Sequence, residues 1–182
     1  MKEIAQHILD IANNSVRARA TLIEISINED IDNDNFVVTI KDNGEGIPED
    51  KLEAVCDPFV TSRTTRKVGL GIPLLKLNAE RTNGSFCIES EVGKGTVLKA
   101  VFKHKNVDRP VIGDIAGVIT MLATTDPKID VVYIHAKQSN EYIFDTREIK
   151  NELNDVLISN PQIMRFIKEM IEENLESINY TK

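Results

Sequence analysis

Residues 57–75, with the sequence DPFVTSRTTRKVGLGIPLL, form the stretch around which the rest of the chain is arranged. Pro58 removes a backbone donor, so the stretch opens as neither a strand nor a helix interior. Its centre is rich in hydroxyl and basic side chains, namely Thr61, Ser62, Arg63, Thr64, Thr65, Arg66 and Lys67. It closes on Gly69, Leu70 and Gly71, directly before an apolar helix. The free N–H groups and the positive dipole end of such a helix favour an anion, and glycine lets the backbone approach it. The sequence therefore predicts a phosphate-binding lid over residues 59–69.

The composition of the 182-residue chain is that of a globular protein, since 41% of its residues are hydrophobic and 28% are charged. Its length fits one domain, or one domain with a substantial appendage. The net charge of −7 argues against general binding to nucleic acid or to acidic membranes. Cys56 and Cys87 have no metal-binding or redox spacing, and we find no signal peptide and no apolar run of membrane-spanning length. We therefore expect a soluble, cytoplasmic protein.

Periodicity predicts the elements that flank the lid. A helix is predicted over residues 2–18, with an apolar face and a second face carrying His7, Asp10, Asn14 and Arg17. A solvated polar face is the alternative interpretation of these four side chains. Two-residue alternation predicts strands over residues 21–28, 36–42, 85–91 and 96–103. A short helix is predicted to begin near residue 48, and an amphipathic helix over residues 72–82 carries Leu74, Leu75 and Leu77.

The C-terminal part, residues 105–182, contains no motif to which we can assign chemistry. Helices are predicted over residues 115–124, 146–155 and 161–178, and a hairpin over residues 131–136 and 142–145. Asn160 and Pro161 form an N-cap followed by proline at the first helical position. This part is too hydrophobic and too regularly patterned for a disordered linker. We expect it to pack on the first part or to contact a partner.

Five short motifs occur in an informative order, although each is common alone. They are a DxxxN helix (Asp10, Asn14), a strand ending in DxGxG, Asp-Pro-Phe before the lid, GLGI at a helix start, and GKGT in a hairpin turn. In this order, over about residues 4–103, the chain resembles the GHKL superfamily of ATP-binding domains, shared by gyrase, gyrase-type heat-shock chaperones, histidine kinases and MutL. The resemblance implies an α+β fold of the Bergerat type, a two-layer α/β sandwich whose mixed, mostly antiparallel sheet is covered by helices. It divides the chain into a histidine-kinase-like ATP-binding domain over residues 1–104 and a C-terminal α/β extension of unknown role over residues 105–182.

The resemblance implies roles for individual residues. Asn14 corresponds to an asparagine whose side-chain oxygen coordinates Mg²⁺, and Asp10 to an acid that orients or deprotonates the attacking group. Arg17 corresponds to a basic residue that reaches the phosphates. Asp42 resembles the aspartate that accepts a hydrogen bond from the adenine amino group, which accounts for a carboxylate in the buried phase of its strand. The other residues implied around the base are Gly44, Gly46, Ile47 and Thr96.

The lid departs from the pattern of its relatives. Histidine kinases commonly have GxGxG before this helix, and Lys67 stands in place of the first glycine. We expect Arg63, Arg66 and Lys67 to neutralise the terminal phosphates, while a solvated basic loop is the alternative interpretation. Phe59 resembles an aromatic anchor of the lid. The predicted nucleotide contacts in this stretch also include Thr61, Ser62, Gly69, Leu70 and Gly71.

These residues together imply that the protein binds ATP with Mg²⁺. We expect it to transfer the γ-phosphoryl group to a histidine or serine of a partner protein in signal transduction. No histidine of the chain lies in a recognisable acceptor context, so self-phosphorylation is not expected. Two alternatives remain open, a slow ATPase that acts as a nucleotide-dependent switch and a non-catalytic, anti-sigma-like module that only binds ATP. A homodimer also remains open.

Overall fold

A computed structural model describes residues 3–57, 70–153 and 156–179 of the chain. Its helices are α1 (Ile4–Arg17), α2 (Glu49–Cys56), α3 (Gly71–Arg81), α4 (Ile115–Thr125), α5 (Thr146–Glu152) and α6 (Pro161–Asn179). Its strands are β1 (Leu22–Asp30), β2 (Asn35–Asp42), β3 (Ser85–Glu91), β4 (Gly95–Lys103), β5 (Asp130–Lys137) and β6 (Asn140–Asp145). Every element predicted from the sequence is present near its predicted position.

The six strands form one sheet in the order β3-β4-β2-β1-β5-β6. Neighbouring strands are antiparallel except β1 and β5, which run parallel. Ile23, Ile25 and Ile27 of β1 are buried, whereas the residues between them are more exposed, because alternate side chains of a strand point to opposite faces. The predicted α+β class, with a mixed and mostly antiparallel sheet, is confirmed.

Helices α1, α3, α4 and α6 share one hydrophobic core with the inner face of this sheet. Ile8 of α1 and Leu75 of α3 are completely buried in it. Leu77 lies outside this core, since its side chain is 42% exposed. The helical period instead brings Ile72, Leu75 and Ala79 to the inner face, and Leu77 falls on the opposite side.

The C-terminal extension continues the same sheet and also completes the start of α1. Strand β5 pairs with β1 along its length. The backbone carbonyls of Val111 and Ile112 accept hydrogen bonds from the N–H groups of Ile4 and Ala5, each at 2.8 Å. The first N–H groups of a helix have no partner inside the helix, so the segment after β4 supplies acceptors that α1 lacks. The domain boundary after residue 104 stays a prediction.

A buried carboxylate also joins the extension to β1. Glu29 Oε1 accepts a hydrogen bond from Nε2 of His135 on β5 at 2.9 Å, and its Oε2 accepts one from Nε2 of His104 at 3.0 Å. The hydroxyl of Tyr133 lies 2.8 Å from Nδ1 of His135. Burial alone would raise the pKa of Glu29, but the hydrogen bonds from the two imidazoles outweigh it and lower the pKa to about 2. Glu29 is therefore ionised in the folded protein.

We expect the Glu29→Gln variant to lose on the order of 3 kcal/mol of unfolding free energy at neutral pH, because it breaks a buried, charge-assisted hydrogen-bond pair. The folded-state pKa of Glu29 is depressed, so its contribution is complete above the unfolded-state pKa of about 4 and is lost as the pH falls towards about 2. Urea unfolding at several pH values measures both effects. The exposed acid Asp32 gives a matched control as Asp32→Asn. Equal stability of the two variants would contradict the prediction.

Candidate functional site

A cavity of about 110 Å³ lies between α1, the end of β2, the start of β4 and the first turn of α3. Five of the predicted site residues line it, namely Asn14, Asp42, Gly46, Ile47 and Thr96. The remaining lining residues are mainly apolar, namely Ile11, Ser15, Ala18, Ile40, Ile72 and Leu98. Sites that enclose a whole drug-sized ligand measure about 300–1,000 Å³, so this cavity suits a single planar base with the rest of a ligand outside.

Asp42 is the principal polar group of the cavity, and two protein donors hold its carboxylate. Ser15 Oγ donates to Oδ2 at 2.7 Å, and the N–H group of Gly44 donates to Oδ1 at 2.9 Å. A carboxylate has about four acceptor positions, so capacity remains for a donor on a ligand. The alternation of β2 directs this side chain to the cavity, as predicted from its phase in the strand. Ser15 was not recognised from the sequence, because a serine beside two asparagines in a helix carries no signal of its own.

The Ser15→Ala variant is expected to bind ATP about 5–10-fold more weakly. Loss of the hydrogen bond that positions the Asp42 carboxylate removes about 1 kcal/mol of the binding free energy. Isothermal titration calorimetry measures this change. Ser177→Ala, which removes an exposed serine from α6, is the matched control and should leave ATP affinity unchanged. Wild-type affinity in Ser15→Ala would show that the hydroxyl does not support the site.

A second serine organises the opposite wall. Ser90 Oγ donates to the carbonyl of Gly95 at 2.8 Å and accepts from the N–H group of Ile47 at 2.7 Å. Its oxygen also lies 2.8 Å from Oγ1 of Thr96. Because Ser90 has already given its only proton to Gly95, Thr96 donates to Ser90, and the Thr96 oxygen keeps lone pairs for a ligand. Ser90 was also not recognised, although it follows Phe86 and Ile88 in the same phase of β3.

Glycines are required where the turns beside Asp42 pack backbone on backbone. Gly46 has a φ of 71°, and a Cβ there would lie 2.1 Å from the carbonyl oxygen of Glu91. Gly95 has a φ of 109°, and a Cβ there would lie 1.9 Å from the carbonyl oxygen of Asp42. Gly44 is buried against the carbonyl of Ala18. A side chain at these positions would displace the strand end that carries Asp42.

Asp10 lies one helical turn before Asn14 and packs against the start of α3. A Cβ added to Gly71 would lie 2.8 Å from Cβ of Asp10, so only glycine fits this contact. Leu70, at the N-cap of α3, is 46% exposed and forms no side-chain cap. The first turn of α3, which is within the described residues, carries no acidic side chain. Its N–H groups are therefore compatible with an anionic ligand.

The other predicted contacts in the lid lie outside the described residues. They are Phe59, Thr61, Ser62, Arg63, Arg66, Lys67 and Gly69. Their assignment to the lid and to the terminal phosphates stays a prediction.

Asn14 is the residue best suited to a metal ion held with a ligand. Its Oδ1 lies 3.5 Å from Nη1 of the exposed Arg17, at the limit of a hydrogen bond, so the oxygen retains acceptor capacity. Within residues 3–57, 70–153 and 156–179, no cluster of three or more His, Cys, Asp and Glu side chains could hold a metal ion. Mg²⁺ commonly binds one or two protein oxygens together with phosphate oxygens and waters. The side-chain oxygen of Asn14 fits that mode of binding.

Comparison with known proteins gives an independent finding. A family model described as histidine kinase-, DNA gyrase B-, and HSP90-like ATPase matches residues 2–106. Sporulation kinase C of Bacillus subtilis (strain 168) is 29% identical over 104 residues, which cover 57% of this chain and 24% of that protein. Sensor kinase CckA of Brucella abortus (strain 2308) is 31% identical over 127 residues, which cover 60% of this chain and 13% of that protein. The chain thus spans a quarter or less of the length of these two relatives.

A solved structure shares the fold at low sequence identity. The crystal structure of the N-terminal domain of a DNA repair protein has a TM-score of 0.56 and 14% identity, over 79% of this chain and 52% of that chain. This likeness concerns the fold alone. Among the helices that the structure describes, none is both long and apolar enough to cross a membrane.

Proposed function

Since this chain belongs to the histidine kinase-, DNA gyrase B- and HSP90-like ATPase family, we propose that it binds ATP with Mg²⁺ and transfers the γ-phosphoryl group to a histidine or serine of a partner protein. One observation carries the proposal. The Asp42 carboxylate faces a base-sized apolar cavity with two protein donors in place and further acceptor positions free. We further propose that this transfer takes place in the cytoplasm and serves signal transduction.

The base is recognised by complementary hydrogen bonds. Asp42 accepts from the exocyclic amino group of adenine, and the Thr96 oxygen accepts a second hydrogen bond directly or through water. Guanine presents a carbonyl oxygen at the corresponding position, and this oxygen would face the carboxylate without a donor. Ile40, Ile47 and Leu98 supply apolar walls for the flat faces of the base. This arrangement supports adenine over guanine.

With the base in this cavity, the phosphates would lie near Asp10 and the start of α3, which pack together beside the cavity. Asn14 would hold Mg²⁺ through its side-chain oxygen, and the metal would supply charge neutralisation for the phosphates. Arg17 on α1 and the predicted lid residues Arg63, Arg66 and Lys67 add positive charge. Asp10 orients the attacking group of the partner or accepts its proton. Catalysis then rests mostly on positioning and charge neutralisation.

Two other functions use the same site. In a slow ATPase, Asp10 orients water and the nucleotide state controls an interaction. In a non-catalytic, anti-sigma-like regulatory module, ATP is held without chemistry. Asp10 is shorter than the Glu that the ATPase branch of the resembled superfamily carries, which favours transfer or simple binding over efficient water activation.

The experiment that separates these functions uses ATP labelled at the γ-phosphate. The purified chain is incubated with labelled ATP and Mg²⁺ in a lysate of its own cells, and protein-bound label and free phosphate are both counted. Label on a partner protein, lost with Asp10→Asn, supports the proposal. Free phosphate that the purified chain releases without lysate, and that is lost with Asp10→Asn, indicates the ATPase switch, and ATP binding with neither product indicates the binding module. Failure of the wild-type chain to bind ATP would refute all three.

A further inference from the structure

His7 is completely buried in α1, although its spacing from Asp10 allowed a solvated polar face. Its Nε2 lies 2.9 Å from Nδ2 of Asn78, in the middle of α3. An amide nitrogen can only donate, so Nε2 of His7 accepts this hydrogen bond and the ring proton resides on Nδ1. The imidazole therefore connects the helix of Asp10 to the helix that begins at Gly71.

The same ring reaches α3 at a second point. Burial lowers the pKa of His7 and keeps the ring neutral, while a backbone interaction with Gly71 opposes this by raising the pKa. No hydrogen bond of normal geometry reaches the buried Nδ1 from the described residues. The hydrogen bond that His7 forms with α3 is therefore the one to Asn78, two turns after Gly71.

The first turn of α3 lies between His7 and the candidate site. Gly71 packs on Cβ of Asp10 with no room for a side chain, and the next residue, Ile72, lines the base cavity. Any shift of α3 along its axis would move both contacts together. A neutral, buried acceptor at position 7 prevents such a shift because it holds Asn78 by a hydrogen bond. An apolar residue of the same size would fill the space without holding α3 in place.

We propose that His7 is a positioning residue, which holds the first turn of α3 in register with Asp10 and thereby sets how well the site binds the phosphates of a nucleotide. This inference rests on the proposed function. This role differs from that of an ordinary core residue in its effect on ligand binding. A core residue contributes to the stability of the whole fold, whereas a residue that sets the register of α3 affects the phosphate end of the ligand more than the base.

The test compares adenosine with ADP, which differ only in the phosphates. Dissociation constants for both ligands, with Mg²⁺, are measured by calorimetry for wild type, His7→Phe and His7→Gln. Phe fills the space but removes the acceptor, and Gln retains an acceptor oxygen. We expect His7→Phe to weaken ADP binding about 10-fold, while its affinity for adenosine stays within about twofold of the wild type. His7→Gln should restore most of the lost ADP affinity. Ile8→Val, which trims a neighbouring core residue, is the control for general destabilisation and should leave the ratio of the two constants unchanged.

Asn78→Leu removes the same hydrogen bond from the side of α3, and it should shift the ratio in the same direction. It keeps the inference testable if His7→Phe does not fold. A parallel loss of adenosine and ADP affinity, or an unchanged ratio in both His7→Phe and Asn78→Leu, would overturn the inference alone. Absence of any adenine-nucleotide binding by the wild-type chain would instead overturn the proposed function and this inference with it.

Discussion

The Asp42→Asn variant is expected to lose about 100-fold or more in ATP affinity, equivalent to about 3 kcal/mol. The side-chain carbonyl of the introduced asparagine still accepts from the N–H group of Gly44, but its amide group replaces the second oxygen with a donor. That donor can pair with the hydroxyl of Ser15, so the fold keeps its local hydrogen bonds. It cannot accept from the adenine amino group, and two donors then face each other with no acceptor between them.

Calorimetry with ATP measures this loss directly, and thermal unfolding checks the fold. Asp32→Asn removes an equal charge from an exposed turn and should bind ATP like the wild type. Guanosine triphosphate is a second control, because Asp42→Asn should reduce the preference for adenine as well as the affinity. An affinity within about threefold of the wild type would exclude Asp42 as the group that recognises the base.

Deletion of residues 105–182 is expected to prevent cooperative folding of the remaining chain. Without β5, the central strand β1 becomes an edge with unpaired backbone groups and loses the parallel neighbour that covers it. The N–H groups of Ile4 and Ala5 lose their acceptors on Val111 and Ile112. Glu29 loses His135, one of its two imidazole hydrogen-bond partners. Together these changes cost a large fraction of the stability of an ordinary domain.

Circular dichroism and thermal unfolding of fragment 1–104 provide the measurement. Addition of fragment 105–182 in trans is the control, since it should restore a cooperative transition if the lost contacts are the cause. A fragment 1–104 that unfolds cooperatively and binds ATP like the full chain would contradict our expectation. That result would instead support the predicted domain boundary.

Alternation and helical spacing were enough to predict the strands and helices, because each of these patterns depends on neighbours in sequence. Asp42 could be placed on the same face of β2 as Ile40 for the same reason, whereas its role at a base came from the resemblance to the GHKL superfamily. The pairing of β1 with β5 could not be predicted, because no local pattern specifies which distant strand lies beside another.

The two serines of the site that were not recognised from the sequence act by holding other residues in place. Ser15 and Ser90 hold Asp42, Ile47 and Thr96, and a lone serine in a helix or a strand has no spacing that marks this role. His7 was noticed, but its burial depends on where α3 packs, and this is a tertiary property. The histidine pair around Glu29 likewise joins three segments that are far apart in sequence.

The parallel pairing of β1 with β5 has a consequence during synthesis of the chain. Ile23 pairs with Val131, more than a hundred residues later, so β1 leaves the ribosome long before its second neighbour exists. At about 5–20 residues per second, the nascent chain spends roughly 5–20 s with this hydrophobic strand open on one side. Long-range pairing of this kind also slows folding after release. The sheet of this protein is therefore completed late, and the nascent chain has an interval in which a chaperone can bind the open strand.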